Sequence, residues 1–390
     1  MFKKYITLFL FSFLGFHNSN AQINLSEYSE ISFVIAGPGE ELYEKFGHAA
    51  IRVKDPVLNL DFIYNYGIFD FNAPNFYTNF AQGKMYYLLA KYNFKYFLNS
   101  YKKDKRWVKQ QVLNLNQFEK QDFFNYLENN ALKENATYLY DPFFNNCATK
   151  LRDISSLVFK NAITYNTPKI PKNQSLRSLM NKELNWNSWG NFGINLIAGT
   201  ILDTKRPQTD YMYLPDYVYL LFKNANKDSK KIILREDILL NFEEKKAPFS
   251  LFSPIVIFTI LLLLVIGITI QNMKTKNRTK ILDFTLFFIT GFIGLILLYL
   301  WLFSSHKTAP NNFNILWAFV PNIYVAFIVL KSNAKQWVSK YIQLLIVLLF
   351  ATLVLWIFGV QIFPITLIPV LILLLIRYVY LTKHLLTSVK

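Results

Sequence analysis

The chain has 390 residues, 53% of them hydrophobic and 17% charged, with a mean hydropathy of +0.20, which is too apolar for a soluble chain of this size. One cysteine, 13 glycines, 24 Tyr and 37 Phe exclude a disulfide-stapled scaffold, a collagen-like repeat and an intrinsically disordered chain. The net charge of +17 does not point to nucleic acid, because the larger part of it lies after residue 248, where eleven basic residues and one acidic residue, Asp283, flank long apolar runs.

Lys3 and Lys4 precede an apolar run over 5–16, followed by Ser19-Asn20-Ala21 with small residues where a signal peptidase reads. This pattern predicts a signal peptide over 1–21 and export of the chain beyond it, since the run is shorter than the roughly 20 residues a membrane span needs. Residues 22–247 then form an exported domain of α+β class. Strand-like runs are expected at 31–36, 49–53 and 61–69, and an amphipathic helix at 122–132. A further helix begins at Cys147, where Leu151, Ile154, Leu157 and Val158 fall at helical spacing. The charge-rich stretch 224–246 is expected to lead the chain down to the membrane surface.

Residues 248–390 carry five apolar stretches, at about 251–271, 282–303, 315–330, 341–360 and 363–381. Basic residues come after the first, third and fifth stretches, whereas the alternate loops hold only Lys307. The positive-inside rule therefore places 304–314 and 361–362 on the side of the exported domain, and the C-terminus in the cytoplasm. The two expectations, export and charge asymmetry, give one topology.

Chemistry has few candidates. His17 leaves with the signal peptide and His384 lies on the cytoplasmic tail, so the exported side keeps His48, His306 and the single thiol of Cys147. No metal site with ordinary ligand spacing can be built from these, and no cofactor is called for. A nucleophile and base can. A thiol at a helix N-terminus is acidified by the dipole and the free N–H groups, and His48 opens a strand in which Ala50 and Arg52 share its face. Such a pair needs a third group to orient the imidazole. Asn65, in the next strand-like run, is the first choice and Asp70 the second. The free N–H groups at that helix start could also hold an oxyanion, and Asn146, just before the thiol, is a candidate to help. His306, Lys307 and Arg52 are candidates for a lipid headgroup.

The segments Phe46-Gly47-His48-Ala49-Ala50-Ile51-Arg52-Val53 and Tyr140-Asp141-Pro142-Phe143-Phe144-Asn145-Asn146-Cys147-Ala148-Thr149 resemble the two signatures of circularly permuted papain-like (NlpC-type) domains. With Asn65-Tyr66-Gly67-Ile68-Phe69-Asp70-Phe71, the segment 106–115, Tyr213-Leu214-Pro215 and the five apolar stretches, the chain resembles the Lnb-type lipoprotein N-acyltransferase family. The resemblance implies a periplasmic papain-like domain over a five-helix inner-membrane domain. It also implies transfer of an acyl chain from a phospholipid to the α-amino group of a diacylated lipoprotein cysteine. Cys147 would be the nucleophile and His48 the base, and Tyr138 and Tyr140 lie just upstream of the thiol where such domains often place a tyrosine that can hydrogen-bond the oxyanion, which makes Tyr140, with Asn146, the foremost candidate for that role. The alternatives are a cell-wall cysteine peptidase or amidase, and a non-catalytic membrane receptor on the same fold.

Overall fold

A computed structural model describes residues 23–160, 162–167, 170–245, 248–331 and 336–387. The predicted signal peptide lies outside them. In chain order the strands are β1 (Glu30–Ala36), β2 (His48–Asp55), β3 (Leu60–Ile68), β4 (Tyr86–Asn93), β5 (Val108–Leu113), β6 (Thr137–Leu139), β7 (Ile163–Tyr165), β8 (Ala225–Lys227), β9 (Lys230–Lys231) and β10 (Ile233–Leu240). The helices are α1 (Phe76–Ala81), α2 (Phe94–Lys103), α3 (Gln117–Ala131), α4 (Cys147–Val158), α5 (Leu176–Glu183), α6 (Trp189–Ile197), α7 (Pro215–Lys223), α8 (Pro254–Thr275), α9 (Lys280–Leu302), α10 (Asn322–Val329), α11 (Gln336–Ile357) and α12 (Ile368–Thr387).

Seven strands form one antiparallel sheet in the order β10-β5-β1-β2-β3-β4-β6. The three predicted strand runs become β1 to β3. In β2 the alternation sends Ala49, Ile51 and Val53 into the core that Cys147, Ala148, Leu151 and Ile154 of α4 share, while Ala50 faces Phe94 and Phe97 of α2. The charge-rich stretch does not run straight to the membrane. Its second half is β10, an edge strand against β5, because its charges find partners there: Arg235 with Glu30 at 2.7 Å, Asp237 with Gln110 at 2.7 Å and Glu236 with Lys223 at 2.6 Å.

One end of this sheet faces the helical bundle. Leu240, the last residue of β10, pairs with Val108, whose other neighbour Ala36 is the ladder partner of His48. From Leu240 the chain reaches α8 within 14 residues. The junction is stitched by buried polar contacts. Arg177 is fully buried, pairs with Asp203 at 2.8 Å and donates to the carbonyls of Ala198 and Gly199, and Asp203 in turn accepts from the Ile362 N–H at 3.2 Å. Helix α6 lies across the junction, with Phe192 and Leu196 packed into the bundle core and the Trp189 indole donating to the Phe252 carbonyl.

Four helices of the bundle, Pro254–Thr275, Lys280–Leu302, Trp337–Ile357 and Ile365–Leu386, are long and apolar enough to cross a membrane. The third apolar stretch behaves differently from the expected continuous helix. It is a 3₁₀ turn at Phe313–Leu316, an irregular step through Pro321, and then the eight-residue α10. Proline removes an N–H and cannot sit in the interior of a continuous helix. The segment still passes from one end of the bundle to the other. The Asn314 side chain donates to the Leu196 carbonyl at the exported-domain end, and Arg278, in the loop after α8, donates to the Lys331 carbonyl at the opposite end. Between them the backbone runs tight against α9, where Gly294 faces the Ala318 carbonyl and Gly291 faces Ile323, positions at which a Cβ would collide. Loops 304–314 and 361–362 lie at the end that meets the sheet, as the charge pattern requires of loops sharing one side.

Candidate active site

The loop between β6 and α4 is fixed by short-range polar contacts that the sequence Asp-Pro-Phe-Phe-Asn-Asn supplies. The Asp141 carboxylate accepts from the N–H groups of Phe143 and Phe144, and the Asn145 amide donates to the Leu139 carbonyl. Asn146 is then the N-cap of α4. Its Oδ1 accepts from the Thr149 N–H at 2.9 Å, the Thr149 hydroxyl accepts from the Asn146 N–H at 2.8 Å, and its Nδ2 donates to the carbonyls of Pro142 and Tyr213. Every polar group of that side chain is used in holding the helix start, so Asn146 has no donor left for an oxyanion, contrary to expectation. What it achieves is to set Cys147 at the first helical position.

Cys147 meets His48 at the start of β2. The sulfur accepts from the backbone N–H groups of Ala49 and Ala148 and from the His48 ring. His48 Nε2 lies 2.6 Å from Asn65 Oδ1, and Asn65 Nδ2 donates to the Tyr92 hydroxyl at 2.8 Å. In this orientation the amide oxygen of Asn65 faces Nε2, and an amide oxygen only accepts, so Nε2 carries the proton and Nδ1 is left for the thiol. Asp70, the second choice for the orienting group, is exposed beyond the end of β3 and accepts from the Asn72 N–H.

Electrostatics drive the pair toward thiolate and imidazolium. Burial alone would push the Cys147 thiol up, but attraction to His48, its hydrogen bond and the two backbone donors outweigh burial and lower it below the ordinary thiol value. Burial likewise opposes the charged imidazole, and Cys147 together with the Asn65 hydrogen bond outweighs it, so His48 is raised. Each charge is the main reason the other persists.

Gly67 turns the backbone beside this meeting. It has φ of +96°, which a side chain resists, and a Cβ there would stand 3.6 Å from the Tyr140 ring and 3.9 Å from Cys147 Cβ. Tyr140 is stacked on Tyr87 at 4.4 Å, and burial and Cys147 hold its phenol well above the usual value. The Tyr138 hydroxyl lies 4.0 Å from the same notional Cβ, is buried, and has no hydrogen-bond partner among the described residues. Burial and then Cys147 also raise Tyr138, so it stays a proton donor.

The headgroup candidates fall apart. Arg52 is four residues along β2 from His48, with both its Nε and Nη2 on Asp61 at 2.7 and 2.8 Å, Nη1 on Gln110 and its plane over Phe94, so its donors are occupied within the sheet. Arg106 is similarly engaged by the Gly37 carbonyl and Glu44. His306 donates from Nε2 to the Phe80 carbonyl at 2.8 Å, and the neighbouring Ser305 N–H donates to the Gln82 carbonyl. That histidine is a strut between the bundle and α1. Lys307, on the same loop, is exposed.

A polar cleft of about 680 Å³ opens beside the His48 end of the sheet, lined by Gly39, Glu44, Lys45, Arg106, Trp107 and Glu183 among others. Burial, with Asp216 and Glu244 as neighbouring charges, pushes the Glu183 carboxyl up to about 7. Among the described residues no group of three or more His, Cys, Asp or Glu side chains is arranged to hold a metal ion.

Residues 16–181 match the Lnb N-terminal periplasmic domain, and residues 244–388 match the Lnb transmembrane domain. No curated protein and no solved structure matches the chain. Two family domains in this order, together covering 311 of the 390 residues, identify a membrane protein with a periplasmic N-terminal domain: the chain belongs to the Lnb family.

Proposed function

We propose that the protein is a lipoprotein N-acyltransferase that carries an acyl chain from a phospholipid, through a thioester on Cys147, to the α-amino group of a diacylated lipoprotein cysteine. The observation that carries this reading is the Cys147–His48–Asn65 chain of contacts at the sheet end that faces the bundle. A peptidase on this core would be better served by a sheet end open to solvent. Family membership supports an acyltransferase in general terms.

In the first half-reaction the thiolate attacks the ester carbonyl, forming the C–S bond. Charge develops on the carbonyl oxygen, for which the Cys147 backbone N–H and the unpartnered Tyr138 hydroxyl are the donors. Collapse breaks the C–O bond, and the His48 imidazolium gives its Nδ1 proton to the departing lysophospholipid oxygen. In the second half-reaction the amine attacks the thioester, His48 takes a proton from it, the C–N bond forms and the thiolate leaves. Asn65 keeps Nε2 protonated throughout, so that a single ring nitrogen handles the moving proton. The mixed-charge cleft beside His48 suits the polar peptide on the C-terminal side of the acceptor cysteine.

The test is intact-protein mass spectrometry of the purified chain incubated with phospholipid and no acceptor. One fatty acyl adduct on the Cys147 peptide, removed by hydroxylamine, is expected. Cys147→Ala and His48→Ala should each abolish it, and the double variant should be no worse than either. Lipoprotein N-acylation continuing at the normal rate in cells carrying Cys147→Ala would overturn the reading.

A further inference from the structure

Helix α1, with the sequence Phe-Tyr-Thr-Asn-Phe-Ala, buries none of its six residues, although half of them are aromatic. Tyr77 is 73% exposed and Phe80 48%, and Phe71 just before the helix is 47% exposed. Water does not favour such a surface, and among the described residues these side chains stay open to it. The rings are also ordered. From the site outward, Tyr140 stacks on Tyr87 at 4.4 Å, Tyr87 on Phe69 at 4.9 Å, Phe69 on Phe76 at 6.1 Å and Phe76 on Phe80 at 6.4 Å. The inner end of this strip is the Tyr140 ring beside Gly67 and Cys147. The outer end is fastened to the bundle, because the Phe80 carbonyl accepts from His306 and the Gln82 carbonyl accepts from Ser305, three residues beyond the end of α9. An unbroken aromatic strip therefore joins the sheet-facing end of the bundle to the thiol's surroundings.

We propose that this strip is the seat of a phospholipid acyl chain, which lies along Phe80, Phe76, Phe69 and Tyr87 with its ester carbonyl presented to Cys147. The inference rests on the acyl-transfer reading for the direction of the ester, and adds to it where the donor lipid binds. Continuity with the membrane bundle decides the occupant. A surface that only rested among headgroups would not need to continue inward to half-buried Tyr140 and the nearly covered Tyr87, whereas a chain drawn out of the leaflet needs apolar walls along its whole path. Tyr43 packs on the strip, its ring perpendicular to that of Phe69 with centroids 5.5 Å apart.

The test uses full-length Cys147→Ala protein in phospholipid vesicles doped with one of two photoreactive phosphatidylcholines, carrying a diazirine either at the end of an acyl chain or on the headgroup. The chain-end probe is expected to label the peptide spanning residues 69–87 as well as the lipid-facing helices. Phe76→Asp with Phe80→Asp should lower that label about tenfold relative to the label on the bundle. Chain-end label confined to α8–α12, with the 69–87 peptide reached only by the headgroup probe, would overturn the proposal and leave the strip as an interfacial belt. This result is read on protein whose rings are intact, so it does not depend on how the double variant folds. The wild-type adduct experiment separates the two ideas. An acyl adduct on Cys147 with no chain-end label in the strip removes the seat and keeps the acyl-transfer reading, and label in the strip with no adduct keeps the seat and removes that reading.

Discussion

Replacing Asn65 by Ala tests the orienting role most directly. The variant removes the 2.6 Å contact to His48 Nε2 and leaves the Tyr92 hydroxyl without its amide donor, at a position only 6% exposed where water gains little access. A hydrogen bond to a charged partner contributes roughly 1.5–3 kcal/mol and one to a neutral partner about 0.5–1.5 kcal/mol, so the imidazolium is favoured over the neutral ring by roughly 1–2 kcal/mol through this bond. Its loss should slow acylation of Cys147 by about 5- to 30-fold at the optimum. The sign of the pH effect comes from the two raised and lowered groups. His48 is held above its ordinary value partly by Asn65, so the alkaline limb of the rate moves to lower pH. Cys147 is held below its ordinary value by His48, so the acid limb moves to higher pH, and the plateau narrows from both sides. Because Cys147 is the only cysteine, its alkylation rate against pH reads the acid limb without interference, and acyl-enzyme formation against pH reads both. An Asn65→Ala protein with the wild-type rate and both limbs unmoved would refute the assignment and reduce Asn65 to a buried structural amide.

In the wild type, acyl-enzyme formation should rise with pH through a Cys147 pKa below that of a free thiol and fall through a His48 pKa above that of free imidazole; a single limb at the free-thiol position would contradict an ion pair. Tyr138→Phe should cost about 100-fold or more in acylation if its hydroxyl meets the oxyanion, whereas loss of only a ring-packing role would leave the rate within a few-fold. Arg177→Met leaves the Asp203 carboxylate buried without its counter-charge and should cost roughly 3–5 kcal/mol, read as a lowered melting temperature in detergent, with Arg177→Met and Asp203→Leu together less damaging than the first alone. Gly67→Val requires a β-branched residue at φ +96° beside Tyr140 and Cys147, so it should destabilise by roughly 1–3 kcal/mol and slow acylation; an unimpaired variant would show that the close approach is not needed.

Features carried by neighbouring residues were legible in the sequence alone. Apolar windows located the bundle, basic residues after alternate spans sorted the loops that share an end, period-two runs gave β1 to β3, and Cys147 was recognisable as a helix start because the residues just after it fall at helical spacing. Hydropathy sums could not see that the third apolar stretch is broken, since they count Pro321 as one residue among many while its missing N–H interrupts the whole turn. The remaining decisions belonged to the tertiary structure, because they depend on which distant group reaches a side chain first. Arg52 was equally available to a lipid phosphate and to Asp61 until the register of β2 and β3 set the carboxylate 2.7 Å away. Asn146 was equally an oxyanion donor and a cap until the Tyr213 carbonyl, 67 residues on, took its amide. His306 met Phe80 across 226 residues, and Tyr92 reached the Asn65 amide from a third strand, contacts for which no local pattern exists. A hydrogen-bonding side chain declares its chemistry in the sequence, but its role is settled by competition among partners that only folding brings within 3 Å.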